Sequence, residues 1–166
     1  MTVRSIVRFP DRRLGAAAEP VSVFDDDLRR LATDLADTMH AAPGIGITAP
    51  HIGILKRLVV IEASPAAALR TYVNPVILWA SDEMIRHTEG SVSMPGVTED
   101  IERHVRVRVG YQDLDGTEQI EEADGLLAVC HQHEIDQLNG IFWIQKLSRL
   151  KRDRLIKRYE KLARVR

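Results

Sequence analysis

The chain has 166 residues, of which 45% are hydrophobic and 28% charged, with a formal net charge of −1. Such a length holds one ordinary domain with a sizeable core, and such a composition excludes fibrous and disordered classes. A single cysteine, Cys130, excludes an internal disulfide framework, and no apolar run approaches the roughly 18 residues that cross a bilayer. Met1 to Ile6 lacks the apolar stretch of a secretory signal, so the expected location is cytoplasmic, with no membrane partner.

In chain order, Phe24 to His40 patterns as an amphipathic helix. Leu28, Leu31, Leu35 and Met39 form its stripe, Asp25 to Asp27 favour its N-terminal end, and Ala42-Pro43-Gly44 stops it. The segment Gly44-Ile45-Gly46-Ile47-Thr48-Ala49-Pro50-His51 follows, its glycines permitting close approach of backbone to a ligand. Leu58 to Ile61 and Tyr72 to Leu78 pattern as strands. A second glycine-bearing segment, Glu89-Gly90-Ser91-Val92-Ser93-Met94-Pro95-Gly96, lies beyond them. Val105, Val107 and Val109 alternate with arginines as in a half-buried strand. Asp113 to Gly116 then forms a hairpin turn into a strand near Thr117 to Ile120.

Gly125 to Leu138 is the second expected helix and Lys146 to Val165 the third, with Leu147, Leu150, Leu155, Tyr159 and Leu162 at helical spacing. A helix, several short strands, a helix and a terminal helix make an α+β fold rather than a doubly wound parallel sheet. Residues 1–145 form the body. Residues 146–166 form a basic helix packed on it or extending from it, and carry ten Lys/Arg against two acids, 10 − 2 = +8. The body therefore balances at −9. A basic tail on an acidic body suits an anionic partner, most simply nucleic acid, or else a solvated helix face.

The second helix carries Gln132-His133-Glu134-Ile135-Asp136-Gln137. In the pattern H-E-x-x-H, two histidines four residues apart grip a divalent metal, and the Glu acts as general base on its bound water. Here Gln137 stands in place of the second histidine. His131 lies about 200° around the helix from His133 and reads as a surface or packing residue. Cys130 reads as a buried hydrophobe. Asp136 and Glu89 read as supports that hydrogen-bond and pair with Arg103, unless these are exposed ion pairs.

In order and spacing, the three segments resemble the signatures of the peptide deformylases, G-[IV]-G-L-A-A-P-Q, E-G-C-L-S and Q-H-E-x-D-H. Phe9 to Leu14, Tyr72 to Pro75 and Leu126 to Cys130 extend the likeness over essentially the whole chain. The resemblance implies a deformylase-like fold, with mixed or antiparallel sheets around a central helix that bears the third motif, plus a C-terminal helix. It implies an ancestral reaction, hydrolytic removal of the formyl group from the N-terminal methionine of nascent polypeptides, and a ferrous ion replaceable by zinc, nickel or cobalt. It also implies docking of the terminal helix near the ribosomal exit tunnel, as in bacterial members.

Carried over by motif position, the metal ligands fall on Ser91, His133 and Gln137, of which only His133 keeps the family residue type. Glu134 is the general base. His51 replaces the amide that helps hold the developing oxyanion, the Val92 N–H completes that hole, and Gly46 belongs with this catalytic set. Ile45, Ile47, Val129 and Cys130 are the expected apolar lining of the methionine pocket. A serine hydroxyl lacks the charge and softness of a thiolate, and a Gln amide oxygen is a weak, hard donor. The expectation is a site without a metal or with a weakly bound one, and deformylation lost or very weak. Two alternatives stand beside it: an active enzyme with a rebuilt set of His51, His133 and Glu134, and a ribosome or nascent-chain binding module.

Overall fold

A computed structural model describes residues 2–165. Helix α1 (Asp26–Ala41) starts where the Asp25 carboxylate accepts the Leu28 N–H at 3.0 Å, with Asp26 and Asp27 complementing the positive end of the helix. Its expected stripe of Leu28, Leu31, Leu35 and Met39 is wholly buried. Full burial of each such side chain contributes about 1.5–3 kcal/mol.

That stripe packs on a five-stranded sheet of order β1-β2-β3-β6-β7: β1 (Gly46–Thr48), β2 (Leu58–Ile61), β3 (Arg70–Ala80), β6 (Arg106–Gln112) and β7 (Glu118–Asp124). β4 (Met84–Ser91) and β5 (Met94–His104) form a separate hairpin. All pairs of these strands are antiparallel. The strand read around Val105 to Val109 begins one residue later and runs on to Gln112. Its turn is as expected: the Asp113 carboxylate accepts the N–H groups of Asp115 and Thr117 at 2.9 and 3.0 Å, and Gly116 takes φ +83°. The β4–β5 hairpin and β1 are the elements the periodicity did not announce.

Helix α2 (Gly125–Leu138) has nine of its fourteen residues buried, so it lies inside the molecule rather than on it. Cys130 and Leu138 pack on Val59, Ile61 and Tyr72, while Ala128 and Ile135 pack on Val107 and Val109. Gln132 joins the helix to the end of β5, accepting the His104 N–H at 2.8 Å and donating to its carbonyl at 2.9 Å.

A 3-10 turn at Trp143–Lys146 precedes α3 (Arg149–Val165), which therefore begins three residues after the expected start. Ser148 sets that start, its hydroxyl accepting the Lys151 N–H at 3.3 Å. Leu155 and Tyr159 are buried against Leu14, Met94 and Trp143, whereas Leu150 and Leu162 of the expected stripe are exposed. Among the described residues no helix is long and apolar enough to cross a membrane.

Candidate functional site

A cleft of about 460 Å³ opens between the β4–β5 hairpin, β1 and α2. His133 reaches it from α2, and its orientation is set from behind. His133 Nδ1 donates to Glu89 Oε1 at 2.7 Å, and Arg103 grips the same carboxylate through Nε and Nη2 at 2.7 and 2.8 Å. Nη1 of Arg103 donates to Asp136 at 2.7 Å. Arg103 is 3% exposed, so these are buried, charge-assisted bonds rather than surface pairs. Burial works against the Glu89 charge, but the bonds from Arg103 and His133 outweigh it and hold its pKa near 2. With Nδ1 committed to Glu89, Nε2 is the free nitrogen of His133 and lies 3.6 Å from Glu134 Oε1.

Glu134 is 3% exposed and lies against bare backbone: a Cβ on Gly46 would stand 3.3 Å from its Cγ and Cδ. Burial raises its carboxyl to about 7, although His133 pulls the other way. For His133 burial disfavours the charge, and the Glu134 and Glu89 carboxylates overcome it and raise its pKa. Glu134 Oε2 is buried without a hydrogen-bond partner.

Of the two remaining ligand positions, Ser91 lines the same cleft as His133 and Gln137 does not. Ser91 lies in the β4–β5 turn, where its hydroxyl accepts the Ser93 N–H at 3.1 Å and makes no hydrogen bond to His133. Gln137, one helical turn beyond His133, does not line the cleft. Its amide nitrogen donates to the Leu14 carbonyl at 2.8 Å. Among the described residues no three His, Cys, Asp or Glu side chains converge as metal ligands. A neutral hydroxyl, one imidazole and an amide bonded elsewhere do not fit a tightly held transition metal.

His51 is 1% exposed and lies in the 3-10 turn after β1. The Thr48 N–H donates to its Nδ1 at 2.9 Å, with the Thr48 hydroxyl equally close. Burial, then the neighbouring His133 charge, lowers its pKa to about 3, so the ring is neutral.

Of the expected lining residues, Ile45, Val129 and Cys130 line the cleft, and Val92 lines it as well. Burial pushes the Cys130 thiol up to about 12, which keeps it an apolar wall. Ile47 does not line it. Strand alternation turns Ile47 into the α1 core while Gly46 faces the cleft, which corrects its place in the expected lining. His131 is a packing residue rather than a surface one, bonding Glu121 at 2.8 Å and meeting the Tyr72 ring edge-on. Sequence reading missed the wall that β5 supplies through Met94 and Val97, and it missed the partner of His51.

Comparison with known proteins places these observations in a family. The family described as polypeptide deformylase matches residues 3–153. A protein of Brucella suis biovar 1 (strain 1330) named peptide deformylase-like is 71% identical, over 99% of this chain and 100% of that one. A second protein of the same strain, named peptide deformylase, is 45% identical over 98% of this chain and 95% of its own. The crystal structure of peptide deformylase from Ehrlichia chaffeensis superposes with a TM-score of 0.92 at 38% identity, covering 99% of this chain and 98% of that one.

Proposed function

The chain belongs to the polypeptide deformylase family, and from that premise we propose a deformylase-like protein whose cleft receives a formyl-methionyl N-terminus but whose metal binding is crippled. Deformylation is then lost or very weak. The observation that carries this reading is Gln137: the side chain at the third ligand position is hydrogen-bonded to Leu14 and absent from the cleft. Structural zinc sites with full ligand sets are worth roughly 10–16 kcal/mol. Even changes to groups that only orient the ligands cost about 10- to 100-fold in affinity or activity. Loss of a thiolate and an imidazole costs more.

Without a metal, nothing lowers the pKa of the attacking water from about 15.7 toward 7. Glu134 would have to activate that water alone. The Brucella suis pair supports the reading, because there a deformylase-like protein coexists with one named peptide deformylase, and this chain is nearer the first.

The rebuilt set of His51, His133 and Glu134 is disfavoured by Thr48. Its N–H occupies Nδ1, so the neutral His51 ring carries its proton on Nε2 and has no lone pair there for a metal. Such a set would also consume the general base.

A second role is favoured by α3, which exposes Lys151, Arg154, Lys157, Arg158 and Lys161 while Leu155 and Tyr159 anchor it. This surface suits phosphate contact at the ribosome, in a cytoplasmic setting, and predicts binding that weakens with salt. Cutting at Lys146 would also remove Leu155 and Tyr159 from the core, so charge reversal is the cleaner test.

Hydrolysis of a formyl-methionyl peptide by protein loaded anaerobically with iron, cobalt, nickel or zinc tests the catalytic reading, beside Glu134→Ala. No turnover from folded protein is the expected result. Metal-dependent turnover that disappears in Glu134→Ala would overturn it.

A further inference from the structure

The two faces of the five-stranded sheet are covered unequally. On the inner face, Ala128 and Ile135 of α2 pack on Val107 and Val109. On the outer face, α1 covers only β2 and the start of β3, through Leu58, Val60 and Val73. Beyond Val73 the outer face of β3, β6 and β7 exposes Val76, Leu78, Trp79 and Ile120, the last with 69% of its surface accessible. These side chains are not scattered. Val76, Gly110 and Ile120 share one cross-strand row, and Leu78 leans over Gly110, where a Cβ would stand 3.0 Å from it. A contiguous exposed apolar patch of this kind marks a contact site.

The charges beside the patch define what fits it. On the same face β6 presents Arg106 and Arg108, and β7 presents Glu122 and Asp124, all exposed. The register sets Arg106 beside Asp124, Arg108 beside Glu122 and Gly110 beside Ile120. A two-fold axis along the strands, midway between β6 and β7, lays each β6 over the β7 of a second copy. Every row is then complementary: arginine meets acid twice, and Ile120 meets the glycine that Leu78 flanks. A partner of one charge would match one strand and be repelled by the other. Edge-to-edge pairing at β7 is opposed by Glu118, Glu121 and Glu122, which would face like charges.

We propose that this outer face is the interface of a symmetric homodimer, with β3, β6 and β7 of one copy packed face to face on the same strands of a second. Aligned sheets pack about 10 Å apart with their strands within about 30° of each other, which suits this arrangement. Arg108 is already restrained, bonded to Glu122 and lying 6.0 Å from the centre of the Trp79 ring, so ordering it costs less on association. His133 and Glu134 belong to α2 on the other side of the sheet, so the pairing leaves the cleft open.

Sedimentation velocity of the full chain across a concentration series should show a reversible monomer–dimer equilibrium and nothing larger, because a two-fold contact closes on itself. Ile120→Asp should weaken the dimer by at least about 10-fold. Arg108→Glu and Glu122→Arg each set like charges across the axis and should weaken it by at least about 10-fold. An equimolar mixture of these two variants restores opposite charges in both contacts, and should recover the dimer that neither forms alone. Unchanged melting temperatures would separate loss of the contact from loss of the fold. A chain that stays monomeric at every concentration, or that assembles into open-ended oligomers, would overturn the proposal. So would a dimer indifferent to Ile120→Asp, or a mixture no better associated than its components.

Discussion

Behind His133, Glu89, Arg103 and Asp136 close into a buried network whose bonds are all 2.7–2.8 Å. In front of it, Ser91 bonds the backbone of its own turn and Gln137 bonds Leu14. The frame that would orient a metal-binding histidine is present; Ser91 lines the same cleft, whereas Gln137 does not. A frame of this kind also stabilises the fold. Arg103 fastens the β4–β5 hairpin to α2, and removing it would leave the Glu89 carboxylate buried and unpaired. Ser91 and Gln137 each make one neutral hydrogen bond to backbone, to Ser93 and to Leu14, in place of the charged network behind His133. The difference separates what holds the cleft open from what would make it catalytic.

The sharpest way to test that separation is to restore the donors on the existing frame. The double variant Ser91→Cys/Gln137→His should gain metal, measured by elemental analysis, and raise formyl-peptide turnover by at least about 100-fold. No gain would show that the frame itself has lost its aim.

Attacking the frame should instead unfold the protein. Arg103→Ala should cost about 3–5 kcal/mol in urea denaturation, because it strands a buried charge. Glu89 gives the pH signature. Its folded pKa of about 2 lies below the ordinary 4.5, so its stabilisation is present above pH 4.5 and lost as pH falls toward 2.

Glu134 carries the opposite sign. Its folded pKa of about 7 exceeds 4.5, so its contribution is present below pH 4.5 and lost as pH rises through 7. Glu134→Gln should therefore stabilise the protein at pH 8, by on the order of 1–3 kcal/mol. The gain should fade between pH 7 and 4.5, as thermal melts across pH would show. No gain at pH 8 would mean the buried carboxylate is already compensated.

The smallest expected effect lies farthest from the cleft. Charge reversal at Lys151, Arg154 and Lys157 should leave the melting temperature within a few degrees, since exposed substitutions usually fall within about 0.5 kcal/mol. It should flatten the salt dependence of any ribosome binding in sedimentation assays. A large loss of stability would place α3 within the frame.

Most of this frame was legible in the sequence. Leu28, Leu31, Leu35 and Met39 mark α1 through a period that any helix must repeat, and the pairing of Arg103 with Glu89 and Asp136 follows from charge and motif position. Gly46, His133 and Glu134 were legible because their chemistry is carried by residue type. The hairpin β4–β5 was not, because charged residues such as Glu89 and Arg103 occupy buried positions of its strands and break the apolar period, and its apolar face is filled by α3 and the N-terminal segment.

By itself the sequence determined the α+β class, the family resemblance and the loss of two ligand types. Those properties depend on composition, period and side-chain identity, each readable within a few neighbouring positions. Only the tertiary structure decided where the changed side chains point. The Gln137 amide nitrogen finds its acceptor at 2.8 Å in the Leu14 carbonyl, 123 residues earlier in the chain. Ile47 enters the core because β1 pairs with β2 in one register, with Gly46 opposite Ile61, and the other register would have exposed it. His51 presents a single proton because a turn brings it onto the Thr48 N–H. The Thr48 contact spans three residues of one turn, whereas the Gln137 partner is set by the packing of distant segments that no local pattern encodes.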